Sequence, residues 1–415
     1  MNYYDIILAK KLSGGGGSSV TVESLDADFD GTYTAPEGKA YSPVTVKAGE
    51  DLAVPKDVNF FDFDGRLLYS YTKQEWASVT ALPSLPSHDG LTAQKWTRTK
   101  AELDGDVAYY HEPIAVGCYY NTVSGKTELD IELTAWLEPT IHLCPNGTAT
   151  IDWGDGSTND TLTGTSLTTA KSVQHTYARI GQYTIKIGLS NGGTCALGGN
   201  GGGTSAKPVI SISSGGNPFS MNRLYQTTLK HIRIASGFSL SAYAFAACSS
   251  LMDYTAAENV TVNGNYAFTD CYSLRLSTLD GSKTGTFKSC YTLLAVCGRP
   301  SMAESIFSDC NSLKYLNISS SVTAASTSAC NGTRSNTIIT LPSTITSIGD
   351  NVFANTRSLK EVYIYAESVP TISSNSFSSS SISEIYVPYS EDHSILTAYQ
   401  TSWTSLASKI QEMPQ

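Results

Sequence analysis

Along the last two fifths of the chain, apolar and polar positions recur in one short order. An aromatic residue is followed three places on by a cysteine, and that three places on by a leucine. "YAFAACSSL" puts these at Phe245, Cys248 and Leu251, "YAFTDCYSL" at Phe268, Cys271 and Leu274, and "GTFKSCYTL" at Phe287, Cys290 and Leu293. "SIFSDCNSL" repeats them at Phe307, Cys310 and Leu313, and "NVFANTRSL" keeps Phe353 and Leu359 with Thr356 in the cysteine place. A degenerate copy falls around Cys330. Successive phenylalanines lie 23, 19, 20 and 46 residues apart, the last step spanning two units. A period of about twenty with fixed internal spacing predicts a solenoid, in which each unit buries its apolar face against its neighbours.

Each repeated type has a physical reason. A buried Phe contributes roughly 1.5–3 kcal/mol, and stacking it over the next unit's Phe makes a continuous column. Cysteine is small and readily buried, which suits a tight inward bend. Leucine then leads into a short strand. In "SLKYLNI" (312–318) and "SLKEVYIYA" (358–366), alternation places Leu316 and Ile318, or Val362 and Ile364, on one face. The strands are expected to stack in parallel.

Upstream, "YTIKIGL" alternates like a strand packed on one side, and Asp64-Gly65 predicts a hairpin turn inside residues 54–96. A Pro-rich connection follows, ending in a strand from Gly90-Leu91 to Trp96. Residues 191–217 are glycine-rich without a GxxxxGK[ST] or framed GxGxxG motif, so they are expected as a flexible excursion rather than a nucleotide loop. Near the start, Tyr3, Tyr4, Ile6, Ile7 and Leu8 form a short apolar strand before a run of four glycines, a design suited to pairing with a partner sheet.

Composition narrows the function. The 27 Lys plus Arg against 37 Asp plus Glu, with no basic block, argue against nucleic acid as a partner. No segment reaches the length of a membrane helix, and Asp5 interrupts the apolar N-terminal run, so neither membrane insertion nor a secretion signal is expected. Nine cysteines without a CxxC pair signal neither zinc nor a disulfide framework. No heptad stretch argues for a coiled-coil oligomer, which leaves homo-oligomerisation open.

The repeats, with "LPSTITSIGDNVFANTRSLKEVYI" (341–364), closely resemble BspA-like bacterial leucine-rich repeats over about residues 226–390. That resemblance implies a curved solenoid used for adhesion or recognition and no catalysis. "TATIDWGDGSTND" (148–160) and "VQHTYARIGQYTIKIGL" (173–189) resemble a polycystic-kidney-disease (PKD) type sandwich, through Trp153, Gly154, Asp155, Gly156, His175, Tyr177, Gly181 and Tyr183. Asp152 and Asp155 fall short of the six to eight oxygens calcium needs and are expected as turn formers. Residues 54–96 faintly resemble small β-grasp-like repeats of bacterial surface proteins. The first fifty residues are similar to the openings of structural proteins of tailed phages and prophages, which implies docking on a particle.

A search for chemistry finds little. The six histidines form no spaced ligand pair and no GxSxG elbow occurs, so neither cofactor nor metal is expected. Asp270, Asp280, Glu304 and Asp309 are the acids a glycan depolymerase would need, but Asp270 and Asp309 sit just before cysteines, where turn formation accounts for them. The chain carries 24 Tyr against 12 Phe. Tyr243, Tyr254, Tyr266, Tyr272, Tyr291, Tyr315, Tyr363 and Tyr365 are the candidate ligand-binding surface, because an exposed Tyr offers a flat apolar face and a hydroxyl at little entropic cost.

The expected architecture is therefore mainly β: an attachment segment (1–50), a small β module (51–137), an immunoglobulin-like sandwich (138–190), a glycine-rich linker (191–225) and a leucine-rich repeat solenoid (226–415). The expected function is a non-enzymatic phage virion protein, a tail fibre binding a bacterial surface glycan or protein while its N-terminus contacts other virion proteins. A capsid decoration protein or a bacterial surface adhesin are the alternatives.

Overall fold

The computed structural model describes residues 31–33, 44–46, 55–122, 126–134, 137–190, 192–198, 209–214, 219–221, 228–235, 239–279 and 283–414. The apolar strand expected at Tyr3, Tyr4, Ile6, Ile7 and Leu8 lies outside them. Of the attachment segment, only the antiparallel pair Gly31–Tyr33 and Val44–Val46 is described. The fold is mainly β and ends in a β-solenoid, as the pattern predicts.

Two stacks of short parallel strands run along the solenoid. One holds His231–Ile234, Asp253–Ala256, Leu276–Ser277, Ala295–Val296, Tyr315–Leu316, Ile338–Leu341, Glu361–Ile364, Glu384–Val387 and Ile410–Glu412. The other holds Phe219–Met221, Ser239–Leu240 and Thr261–Val262, then Ala324–Ala325, Ser347–Ile348 and Thr371–Ile372. The third side of each coil is the bend that carries the Phe and Cys. Coil length decides whether the second stack continues. Among the described residues the step of 20 residues from Ala295 to Tyr315 carries no strand of the second stack, whereas the steps of 23 and 24 residues from Ala324 to Ser347 to Thr371 carry one.

Both stacks grow from the β region that precedes them. Strand Thr140–Asp152 is long enough to take four neighbours within one sheet: its first half pairs with Lys171–Gln174 and Thr194–Leu197, its second with Asp160–Thr165 and Gly181–Leu189. Thr194–Leu197 then pairs in parallel with Phe219–Met221, and Val209–Ser213 with His231–Ile234. Thus the stretch expected as a glycine-rich linker contributes three strands, because Cys195, Ala196, Leu197, Val209 and Ile212 have a core to enter. One continuous hydrophobic core runs from Leu129 to Ile410.

The segment expected as a small β module is shorter and mixed. Strand Thr127–Leu133 leaves it for the large sheet, where it pairs with Gly181–Leu189 and Val209–Ser213. What remains is the hairpin Val58–Phe61 with Leu67–Tyr71, a parallel neighbour Ile114–Val116, the pair Leu91–Trp96 with Cys118–Thr122, and two helices. Helix Lys100–Tyr109 starts at Thr99, whose hydroxyl accepts from the Glu102 amide while Glu102 caps Thr99 in return. Phe60, Trp76, Trp96, Leu103 and Tyr110 fill the module's own core.

Candidate functional site

The repeated side chains form continuous columns inside the coil. Rings of Phe245, Phe268, Phe287 and Phe307 stack at 5.3, 5.8 and 5.9 Å, and Phe353 stacks on Phe377 at 5.2 Å. Cysteine has a role beyond its size. The Sγ of Cys271, Cys290 and Cys310 each donates to the carbonyl of the preceding coil's Phe at 3.0–3.1 Å, satisfying a backbone group that faces the core. All nine cysteines are buried as thiols. Burial pushes the Cys330 thiol up to about 12, so it stays neutral.

The column breaks in one coil. Cys330 takes the ring position and Thr333 the cysteine position, with the Thr333 hydroxyl donating to Cys330 O at 2.9 Å. Asn336 stands in the leucine column, 1 % exposed, and neither side-chain polar atom has a partner.

Bends are tight enough to require left-handed backbone two residues before and after the column position. Tyr243 and Ala247 flank Phe245, Tyr266 and Asp270 flank Phe268, Ser305 and Asp309 flank Phe307, and Asn351 and Asn355 flank Phe353, all at φ between 53° and 62°. This accounts for Asp270 and Asp309, since Asp and Asn tolerate that region better than most residues. Glu304 is exposed, and Asp280 lies outside the described residues.

Asp152 and Asp155 are likewise taken up by the turn after strand Thr140–Asp152. Asp152 Oδ1 accepts from the Gly154 amide, Asp155 Oδ1 from the Ser157 amide, and Asp155 Oδ2 meets His175 Nε2 at 2.8 Å. Against the cost of desolvation, Ser157 and His175 hold the Asp155 carboxyl down to about 2. Trp153 stacks on His175 at 4.7 Å, and its carbonyl accepts from the Tyr177 hydroxyl. Among the described residues no group of three or more His, Cys, Asp or Glu is placed to hold a metal ion.

The eight candidate tyrosines separate into three environments. Tyr254 points inward against Phe268 and is fully buried. Tyr315, Tyr363 and Tyr365 leave the strand stack but are covered by the 55–122 module. Tyr315 packs on Phe61 at 5.2 Å, Tyr363 lies parallel to His111 at 3.5 Å, and Tyr365 stacks on Tyr109 at 4.9 Å and donates to Tyr109 O. The remaining four line the bend side in two ladders. Tyr243 stacks on Tyr266 at 5.2 Å, with the Tyr266 ring lying over Gly285 where a Cβ would meet it at 2.2 Å. Tyr272 stacks on Tyr291 at 5.0 Å and 8°, and these are 41 % and 42 % exposed. The Asp270 carboxylate raises the Tyr272 phenol, which stays neutral. Farther along the same row, each in the place just after the cysteine position, stand Asn311 and the exposed Arg334 and Arg357.

The cover over the strand stack was not legible beforehand. Arg98, 2 % exposed, pairs with Asp106 at 2.7 Å and reaches Gly298 O and Asn317 Oδ1, while Arg299 pairs with Asp106 at 2.9 Å. The Tyr110 hydroxyl donates to Ile318 O at 2.6 Å, and the Thr340 hydroxyl to Glu112 Oε2 at 2.6 Å. Phe61, Ala115, Leu276, Ala295, Cys297 and Tyr315 close an apolar seam across the contact. No motif marks these residues, because each makes sense only once two distant segments meet.

Residues 206–294 and 299–401 match the BspA type leucine rich repeat region, in six copies, starting some twenty residues before the sequence pattern alone is visible. A leucine rich cell surface protein from Faecalibacterium prausnitzii A2-165 is 24 % identical over 43 % of this chain and 52 % of its own, with a TM-score of 0.31. A leucine-rich repeat protein from Bacteroides ovatus ATCC 8483 is 17 % identical over 43 % of this chain and 66 % of its own, also at 0.31. The chain thus spans 52 % and 66 % of the lengths of these proteins. No curated protein matches it. Nothing in these matches supports a phage origin or a PKD domain, so neither is carried further. The C-terminal part of this chain is thus a β-solenoid whose sequence is similar to BspA type leucine-rich repeats.

Proposed function

We propose that this protein is a non-enzymatic surface adhesin that recognises a glycan or protein through the bend side of its repeats. The observation that carries the reading is the pair of solvent-facing ladders, Tyr243 with Tyr266 and Tyr272 with Tyr291, on a solenoid of BspA-type repeats. Stacked rings are already ordered, so a partner immobilises few rotors on binding. On the strand-stack side Tyr315, Tyr363 and Tyr365 serve the contact with the 55–122 module, and Tyr386 stacks on Tyr363 at 4.4 Å. The tail-fibre reading rested on the first fifty residues and has no support among the matches, and the adhesin alternative takes its place. An array of surface glycans and extracellular-matrix proteins probed with the full chain tests it. Saturable binding that falls at least tenfold in Tyr272→Ala/Tyr291→Ala is expected. No saturable binding, or equal binding by the variant, contradicts it.

A further inference from the structure

Glu112 is a buried carboxyl among the described residues. Its side chain is sealed between the module and the strand stack at 3 % exposure, with Thr340 donating to Oε2, the Asn317 side chain beside it, and Oε1 without a hydrogen-bond partner. An ionised carboxylate so placed leaves one oxygen without a partner in a low-dielectric seam. Next to it, His111 lies flat on Tyr363 at 3.5 Å and 5°, with its Nε2 3.2 Å from the Tyr365 hydroxyl.

The surroundings supply no compensating cation to Glu112. From its own module come Tyr109 and Tyr110, whose phenols burial keeps neutral, and Lys73, which donates to Tyr110 O. From the solenoid come Thr340, Asn317, Tyr363 and Tyr365, none of them a cation. Arg98 and Arg299 are committed to Asp106 and Glu102.

We propose that the 55–122 module is a pH-gated cover over the strand stack, held shut by an un-ionised Glu112 and an uncharged His111 and opening when either one takes up charge. The direction follows for each limb. Burial pushes the Glu112 carboxyl from 4.5 up to about 7, so its contribution to closure is complete below 4.5 and is lost as pH rises through about 7. Burial, with Lys73 adding to it, holds His111 below 6.5, so its contribution is complete above 6.5 and is lost as pH falls through its lowered value. Closure is therefore tightest in mildly acidic solution and weakens on both sides. Opening uncovers Tyr315, Tyr363 and Tyr365, a second aromatic surface that the closed form withholds.

Two amides cross the contact and report on it directly: His111 N–H donates to Thr340 Oγ1 and Ala115 N–H to Asn317 Oδ1, each at 3.3 Å. Their hydrogen-exchange protection, corrected for intrinsic rates, is measured in the full chain from pH 5 to 8.5. Protection is expected to peak in mild acid and fall toward pH 8. Glu112→Gln raises it at pH 8 by on the order of 100-fold and removes only the alkaline limb, while His111→Phe removes only the acid limb. Phe287 within the ladder serves as the folding control. Should Glu112→Gln disturb that control, Thr340→Val takes its place and moves opening to lower pH, read at the Ala115 amide alone because the His111 amide then loses its acceptor. Protection that is flat with pH in the unmodified chain, or an alkaline limb that survives Glu112→Gln, overturns the proposal.

Discussion

Replacing Phe287 by alanine tests the columns at their centre. The ring is fully buried between Phe268 at 5.8 Å and Phe307 at 5.9 Å, both nearly parallel to it. Truncating a buried Phe costs about 3–5 kcal/mol through lost transfer energy and the cavity left behind. Repeat proteins confine such a loss to the altered coil and its neighbours. Dividing by about 1.4 kcal/mol per decade, amide exchange in these coils should accelerate by roughly two to three and a half decades. The ladder amides Phe268 N–H to Thr286 O and Phe287 N–H to Ile306 O are the reporters. Cys330→Ala is the matched control. It occupies the same position without a ring and loses only a sulfur, so its cost should stay near 1 kcal/mol. If Phe287→Ala accelerates exchange no more than Cys330→Ala does, the stacked column is not what holds the coils together.

Three further outcomes follow from the geometry. Asn336→Leu restores the leucine column and removes a buried amide with both polar atoms unpaired, so local stability in that coil should rise by about 1–3 kcal/mol, read from exchange of the Cys330 and Thr333 amides. Arg98→Ala leaves Asp106 with Arg299 as its remaining ion-pair partner and strips Asn317 Oδ1 and Gly298 O of a donor. It should weaken the module contact by about 3–5 kcal/mol, seen as faster exchange at Ala115 while ladder amides are unchanged. In the turn after strand Thr140–Asp152, the Asp155 carboxyl held at about 2 against an ordinary 3.8 contributes stability that is complete above 3.8 and lost as pH falls toward 2. An acid titration followed by fluorescence of Trp153, which stacks on His175, should therefore show a transition in that range that Asp155→Asn removes.

The solenoid was legible because its signal is written five times over. Phe268, Cys271 and Leu274 fall in the core where their spacing put them, and the αL demand of the bends explains the Asp and Asn beside them. Strand Gly181–Leu189 was legible from the alternation in YTIKIGL, but not the continuity of its sheet with the repeats: pairing of Val209–Ser213 with Thr127–Leu133 joins segments some eighty residues apart across a glycine-rich stretch. Tyrosine number was a poor guide to exposure. Strand alternation alone cannot tell whether an outward Tyr315 meets solvent or Phe61, because the answer lies more than 250 residues away in the chain. For the same reason Glu112 gave no sign of itself, and helix Lys100–Tyr109 before it, which the Thr99 and Glu102 capping pair starts, was not among the expected elements.

Hydroxyl-radical footprinting of the full chain, alone and bound to its target surface, tests the account most directly. Tyr243, Tyr272 and Tyr291 should label readily in the free protein while Tyr254 and Tyr315 stay protected, and binding should then protect the Tyr272–Tyr291 ladder. Labelling of Tyr315 as fast as Tyr291 in mild acid, or a bound complex in which Tyr272 and Tyr291 label as before, would contradict it.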